Sequence, residues 1–147
     1  MKTTKKLLPV IIILAVAVLA YSFFHIDGRE IKFIDKLSEA KAVTVIVMNK
    51  ENDEKTEYDL NRDQIEHLKN LVEGNSYTRR ISSTIIGALP DKRYTIFANW
   101  DDNGQKHFHI NLIGGEYIQI LGEFGSRYHK IKNSDFEKEL ISIIDNE

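Results

Sequence analysis

The sequence predicts an α+β domain, an antiparallel sheet of about five to seven strands with two helices, behind one N-terminal transmembrane helix. Three observations predict it. An uncharged apolar run opens the chain, a glycine-punctuated group of β-rich runs fills residues 93–121, and two amphipathic segments with capping signals flank that group. The order is strand pair, helix, strands, helix. It lacks the strand–helix alternation that a parallel sheet requires.

Lys2, Lys5 and Lys6 precede residues 7–24, which carry no charge. About 18 to 20 apolar residues cross a ~30 Å hydrocarbon core as a helix. The flanking lysines predict a cytoplasmic N-terminus and an extracytoplasmic domain after Phe24. A cleaved signal peptide is the alternative, since Val18-Leu19-Ala20 offers a small-residue site and cleavage after Ala20 gives a secreted product. The apolar run continues through Tyr21, Phe23 and Phe24, which favours an uncleaved anchor. The expected organisation is an anchor over 1–26, a stem over 27–41 and a domain over 42–147. Within the stem, Ile31, Ile34 and Leu37 are spaced for one side of a short helix but are surrounded by charge.

Residues 42–48 (AVTVIVM) form the first strand. They are apolar at both parities, which predicts a central strand, covered on each side or in a curled sheet. Residues 55–60 alternate, with Thr56, Tyr58 and Leu60 against Lys55, Glu57 and Asp59, as a strand returning beside the first. Asn61 with Gln64 makes a capping box for a helix carrying Ile65, Leu68, Leu71 and Val72, stopped near Gly74. A strand over 77–82 and a loop over 83–92 follow. If Asp102-Asn103-Gly104 forms a three-residue hairpin loop, Ala98 falls opposite Phe108 and Ile96 opposite Ile110. That register gathers Tyr94, Ile96, Ala98, Trp100, Phe108, Ile110 and Leu112 on one apolar face. A two-residue Asn103-Gly104 turn would slip the register and mix the faces. After the turn over 122–125 come a strand over 127–131 and a helix opened by Ser134 and Glu137. This helix carries Phe136, Leu140, Ile143 and Ile144 on one side.

The length suits one domain, and 42% hydrophobic with 29% charged residues describes a globular chain. The absence of cysteine excludes disulfides, thiolate metal sites, a cysteine nucleophile and a lipidated cysteine. Three of the 20 basic residues and none of the 22 acidic ones precede position 26, so the remainder carries 17 basic against 22 acidic groups, about −5 before histidines. That balance lacks the basic footprint of a nucleic-acid-binding domain.

The hairpin AVTVIVMNKENDEKTEYDL, the helix IEHLKNLV, the strand and turn YTIFANWDDNG, and YHKI followed by DFEKELISII together resemble an uncharacterised type of extracytoplasmic domain. That type occurs in Gram-positive bacteria behind a signal sequence, lipobox or membrane anchor. The resemblance covers residues 42–144 and implies fold and location, with no site residues.

Histidine supplies the first candidate chemistry. His107 and His109 alternate onto one strand face about 7 Å apart, close enough to share a metal ion, and His129 joins them if its strand is a near neighbour. No acidic residue shares the motif, and a polar sheet face is the competing reading. Arg79 and Arg80, followed by Ser82, Ser83 and Thr84, suit a phosphate or carboxylate. Strand neighbours point to opposite faces, so only one of the pair reaches a given ligand. Phe97 falls on the polar face of the meander and, with Tyr77, Tyr117 and Phe124, is a candidate binding aromatic.

The acidic pairs lie in turns or at the terminus, and Asp101-Asp102-Asn103-Gly104 lacks the alternating ligands and closing glutamate of a calcium loop. Neither a Gly-x-Ser-x-Gly elbow nor a phosphate-binding glycine loop is present. The sequence points to a non-catalytic binding module of the bacterial cell envelope. It is held to the membrane through residues 7–24, needs no cofactor, and takes an envelope protein or ligand as partner. The alternative is an envelope enzyme or metal-binding protein using His107, His109 and His129.

Overall fold

The computed structural model describes residues 4–31, 34–80, 90–101, 107–121 and 128–145, with backbone only at 4–6 and 107. Helix α1 (Thr4–Phe24) runs without a linker into β1 (His25–Asp27). Two short 3-10 segments follow, Gly28–Glu30 and Ile34–Glu39, then β2 (Ala42–Asn49), β3 (Glu54–Asp59) and α2 (Arg62–Glu73). Strands β4 (Ser76–Arg79), β5 (Lys92–Asn99), β6 (His107–Ile113), β7 (Tyr117–Ile120) and β8 (His129–Ile131) precede α3 (Phe136–Asp145). The eight strands form one antiparallel sheet in the order β1-β4-β8-β7-β6-β5-β2-β3, one strand more than the upper expectation.

The β5–β6 register is the one that keeps a face apolar: Ala98 pairs with Phe108 and Ile96 with Ile110. The loop residues expected to set it, 102–104, lie outside the described residues, as do the loop over 83–89 and the turn over 122–125. Tyr94, Ile96, Ala98, Phe108, Ile110 and Leu112 are buried under α2 and α3, whose own apolar stripes join the same core. The Asn61 cap forms as expected. Its side chain accepts the Gln64 N–H and the Gln64 side chain accepts the Asn61 N–H, both at 2.9 Å. Gln64 Nε2 also donates to Ile143 O at 2.8 Å, joining the two helices at a buried point. The Glu137 carboxylate, expected to close a box with Ser134, accepts the Tyr94 hydroxyl at 2.7 Å.

Two expectations are corrected. Residues 27–41 are part of the folded domain, because Ile31, Ile34, Leu37 and Ala40 are buried in the core and β1 pairs with β4. Trp100 Nε1 donates to Lys36 O at 3.0 Å, and Arg62 donates to Ser38 O, fixing the second 3-10 segment to the sheet end and to α2. Among the described residues, strand β2 is covered on one face only. Val43 and Val45 are buried, while Ile46 and Met48 point to the opposite face and Met48 is 49% exposed.

Burial holds the Tyr77 phenol above its ordinary pKa; burial, then the bond to Glu137, does the same for Tyr94. Above about pH 10 the unfolded chain releases protons that the folded chain keeps. Stability from these groups is therefore complete below that pH and lost as pH rises. The urea midpoint is expected to fall steeply above about pH 10. Tyr77→Phe combined with Tyr94→Phe should flatten that fall; an unchanged slope would refute the assignment.

Candidate functional site

Strand pleating divides the polar candidates between two faces of the sheet. The face opposite α2 and α3 carries Thr44, Ile46 and Met48 from β2, Thr95 and Phe97 from β5, and His109 and Asn111 from β6. Phe97 pairs directly with His109 and the two rings stack in parallel, 5.4 Å between centroids at 3°. Beside them a side-chain ladder crosses three strands, from Thr95 Oγ1 to Asn111 Oδ1 at 3.1 Å and from Asn111 Nδ2 to Gln119 Oε1 at 3.0 Å. Phe97 is 38% exposed, so it presents one apolar ring within a polar surface, diagonal to Ile46 on β2.

His109 and His129 do not converge. His129 pairs with the core residue Ile118, is 2% exposed, and faces the side covered by the helices. His109 lies on the other side, so one ion would have to bridge both sides of the sheet. His107 pairs with Asn99 in the ladder, and its side chain lies outside the described atoms. Among the described residues, no group of three or more His, Cys, Asp or Glu side chains is placed to hold a metal ion.

Arg79 and Arg80 separate as strand neighbours do. The Arg79 guanidinium lies over the Phe23 ring of α1 at 4.7 Å, and that of Arg80 over Tyr117 at 5.1 Å. Tyr77, expected among the exposed aromatics, is buried and donates its hydroxyl to Val72 O at 2.8 Å. Phe124 lies outside the described residues.

Two groupings escaped the sequence reading because they join distant segments. His67, Glu139 and Ser142 line a shallow groove of about 350 Å³ between α2 and α3. All three are exposed, and Glu139 accepts from Asn133 Nδ2 at 3.1 Å, so the groove is a solvated helix surface. The other lies where α1 meets the sheet: Ala20, Tyr21, Phe24, His25, Thr78 and Lys132 line a cleft of about 260 Å³. Lys132 Nζ is 3.1 Å from His25 Nδ1, and Tyr21 stacks on His25 with centroids 5.0 Å apart.

Comparison of the chain with family models, curated proteins and solved structures returned no match in any of the three.

The contrast between the faces gives a direct expectation. Phe97→Ala should change stability by less than about 1 kcal/mol, because the ring is part-exposed and rests on His109. Phe108→Ala, in the core, should cost about 3 to 5 kcal/mol. Urea titration of the two variants checks both; equal costs would mean that Phe97 is a core residue.

Proposed function

We propose that the chain is a single-pass, membrane-anchored binding module of the bacterial cell envelope, acting outside the cytoplasm without catalysis. The observation that carries this reading is the state of α1. Its Leu7–Phe24 window is long and apolar enough to cross a bilayer and none of it is buried by the protein. A core helix of a soluble domain would be covered by protein; here the apolar surface is left for lipid. Helix α1 continues through Tyr21, Phe23 and Phe24, and the last turn touches the domain, which supports retention of the anchor over cleavage after Ala20. The binding surface in this reading is the part-exposed patch of Ile46, Phe97 and His109.

Absence of cysteine makes the test clean. Lys50→Cys, in the exposed turn between β2 and β3, should be labelled in intact cells by a membrane-impermeant maleimide. Protection until the cells are opened would reverse the orientation and end the reading. A photocrosslinking residue at Phe97 should capture an envelope partner that the same residue at Glu66 of α2 does not. Identical products from both sites would remove the patch as the binding surface.

A further inference from the structure

We infer that the residues around the exit of α1 form a collar that binds the phosphate of anionic phospholipid headgroups. The inference rests on α1 being a membrane span. With no linker, His25 lies one residue beyond the helix, and β1 advances only about 10 Å over its three residues. The headgroup layer on each side of a bilayer is about 5 to 7 Å thick. His25 and the groups beside it are thereby held at headgroup depth.

The chemistry there suits a phosphodiester. The cleft has an apolar wall of Ala20, Tyr21 and Phe24, faced by His25, Thr78 and Lys132. Lys130 stands in the same cross-strand row as Thr78 and His25, and Arg79 lies on Phe23. Tyr21, Phe23 and Phe24 supply the aromatic residues favoured at a membrane interface. Among the described residues no carboxylate lines the cleft, and nearby Asp27 is engaged by Arg29, accepting its backbone N–H at 3.0 Å with the guanidinium 3.5 Å away.

Charge across the sheet runs the same way. The exported part is net acidic, yet the three strands nearest the anchor gather Arg79, Lys130 and the adjoining Lys132. The opposite edge, β3, carries Glu54, Glu57 and Asp59 against Lys55. Seven strand spacings separate the two edges, about 34 Å, several times the ~8 Å Debye length. An anionic surface therefore attracts the basic edge while the acidic edge lies beyond its reach.

The test uses the full chain in nanodiscs of phosphatidylcholine with phosphatidylglycerol. Phosphatidylglycerol retained per chain is read by native mass spectrometry. Wild type should retain it in preference to phosphatidylcholine. Lys132→Ala combined with His25→Ala should lower that preference about fivefold, the effect of removing one surface cation. Lys50→Ala combined with Lys55→Ala, near the far edge, should leave it unchanged. Equal retention by wild type and the collar variant overturns the proposal, as does equal loss in the far-edge variant. Displacement of the lipid by millimolar inorganic phosphate would also overturn it, making the site one for a free anion. Flotation with pure phosphatidylcholine vesicles reports the anchor separately. Failure to float removes the membrane reading and the collar with it; normal flotation without preference removes the collar alone.

Discussion

A chain beginning at Ala42 is expected not to fold, whereas one beginning at His25 should unfold cooperatively as a soluble domain. The 17 residues between these starts contribute Ile26, Ile31, Ile34 and Leu37 to the core, each no more than 3% exposed, with Ala40 fully buried. Burying a side chain of this size is worth about 1.5 to 3 kcal/mol, so the four large ones together supply about 6 to 12 kcal/mol. Part of that is already realised in a compact unfolded chain, which lowers the figure. Even so it matches the whole stability of an ordinary domain, about 5 to 15 kcal/mol. The shorter chain also loses β1, the only partner of β4 on that side, and uncovers the apolar stripe of α2 that packs on the second 3-10 segment. Circular dichroism with urea titration decides it. A cooperative transition for the shorter chain within about 1 kcal/mol of the longer one would restore residues 27–41 as a stem.

The same segment shows where the sequence stops being informative. Ile31, Ile34 and Leu37 have helical spacing, but Arg29, Glu30, Asp35, Lys36 and Glu39 surround them. Nothing local says that α2 and the sheet end enclose them. Strand β1 is harder still, since three residues directly after an apolar helix give no window for a period of two. The β5–β6 register was legible because alternation and hairpin chemistry agree, and the Asn61–Gln64 box because it is a contact within four residues. For His129, the face follows from the pairing of β8 with β4 and β7, a long-range fact that no pattern in residues 127–131 contains. The apolar parity of residues 42–48 predicts a central strand, covered on each side or in a curled sheet. Strand β2 sits one place from the edge instead, Ile46 joins the part-exposed patch around Phe97, and Met48 lies exposed farther along the same face. What looked like a core signal was partly a surface signal.

Gly28→Ala is expected to be the most damaging single methyl that can be added near the anchor, costing about 3 to 5 kcal/mol. Gly28 follows β1 and donates its N–H to Asn75 O at 2.9 Å, which docks the chain emerging from α1 onto the end of α2. A Cβ there would meet Val72 O at 2.1 Å, Asn75 O at 2.8 Å and Glu73 O at 2.9 Å. All three are backbone atoms at one helix terminus, so no rotamer change relieves the contact. The requirement is space, since Gly28 has no positive φ. Moving Val72 O away also disturbs the buried Tyr77 hydroxyl that donates to it at 2.8 Å. The cost therefore combines overpacking with a weakened buried hydrogen bond. In the full chain the variant should loosen the join between α1 and the domain, measured as faster protease cleavage near residue 28 alongside a lower urea midpoint. A loss below about 1 kcal/mol with unchanged cleavage would mean that β1 does not dock against α2. Helix α1 would then hold the domain on a slack tether, and the proposed headgroup collar would lose its geometric basis too.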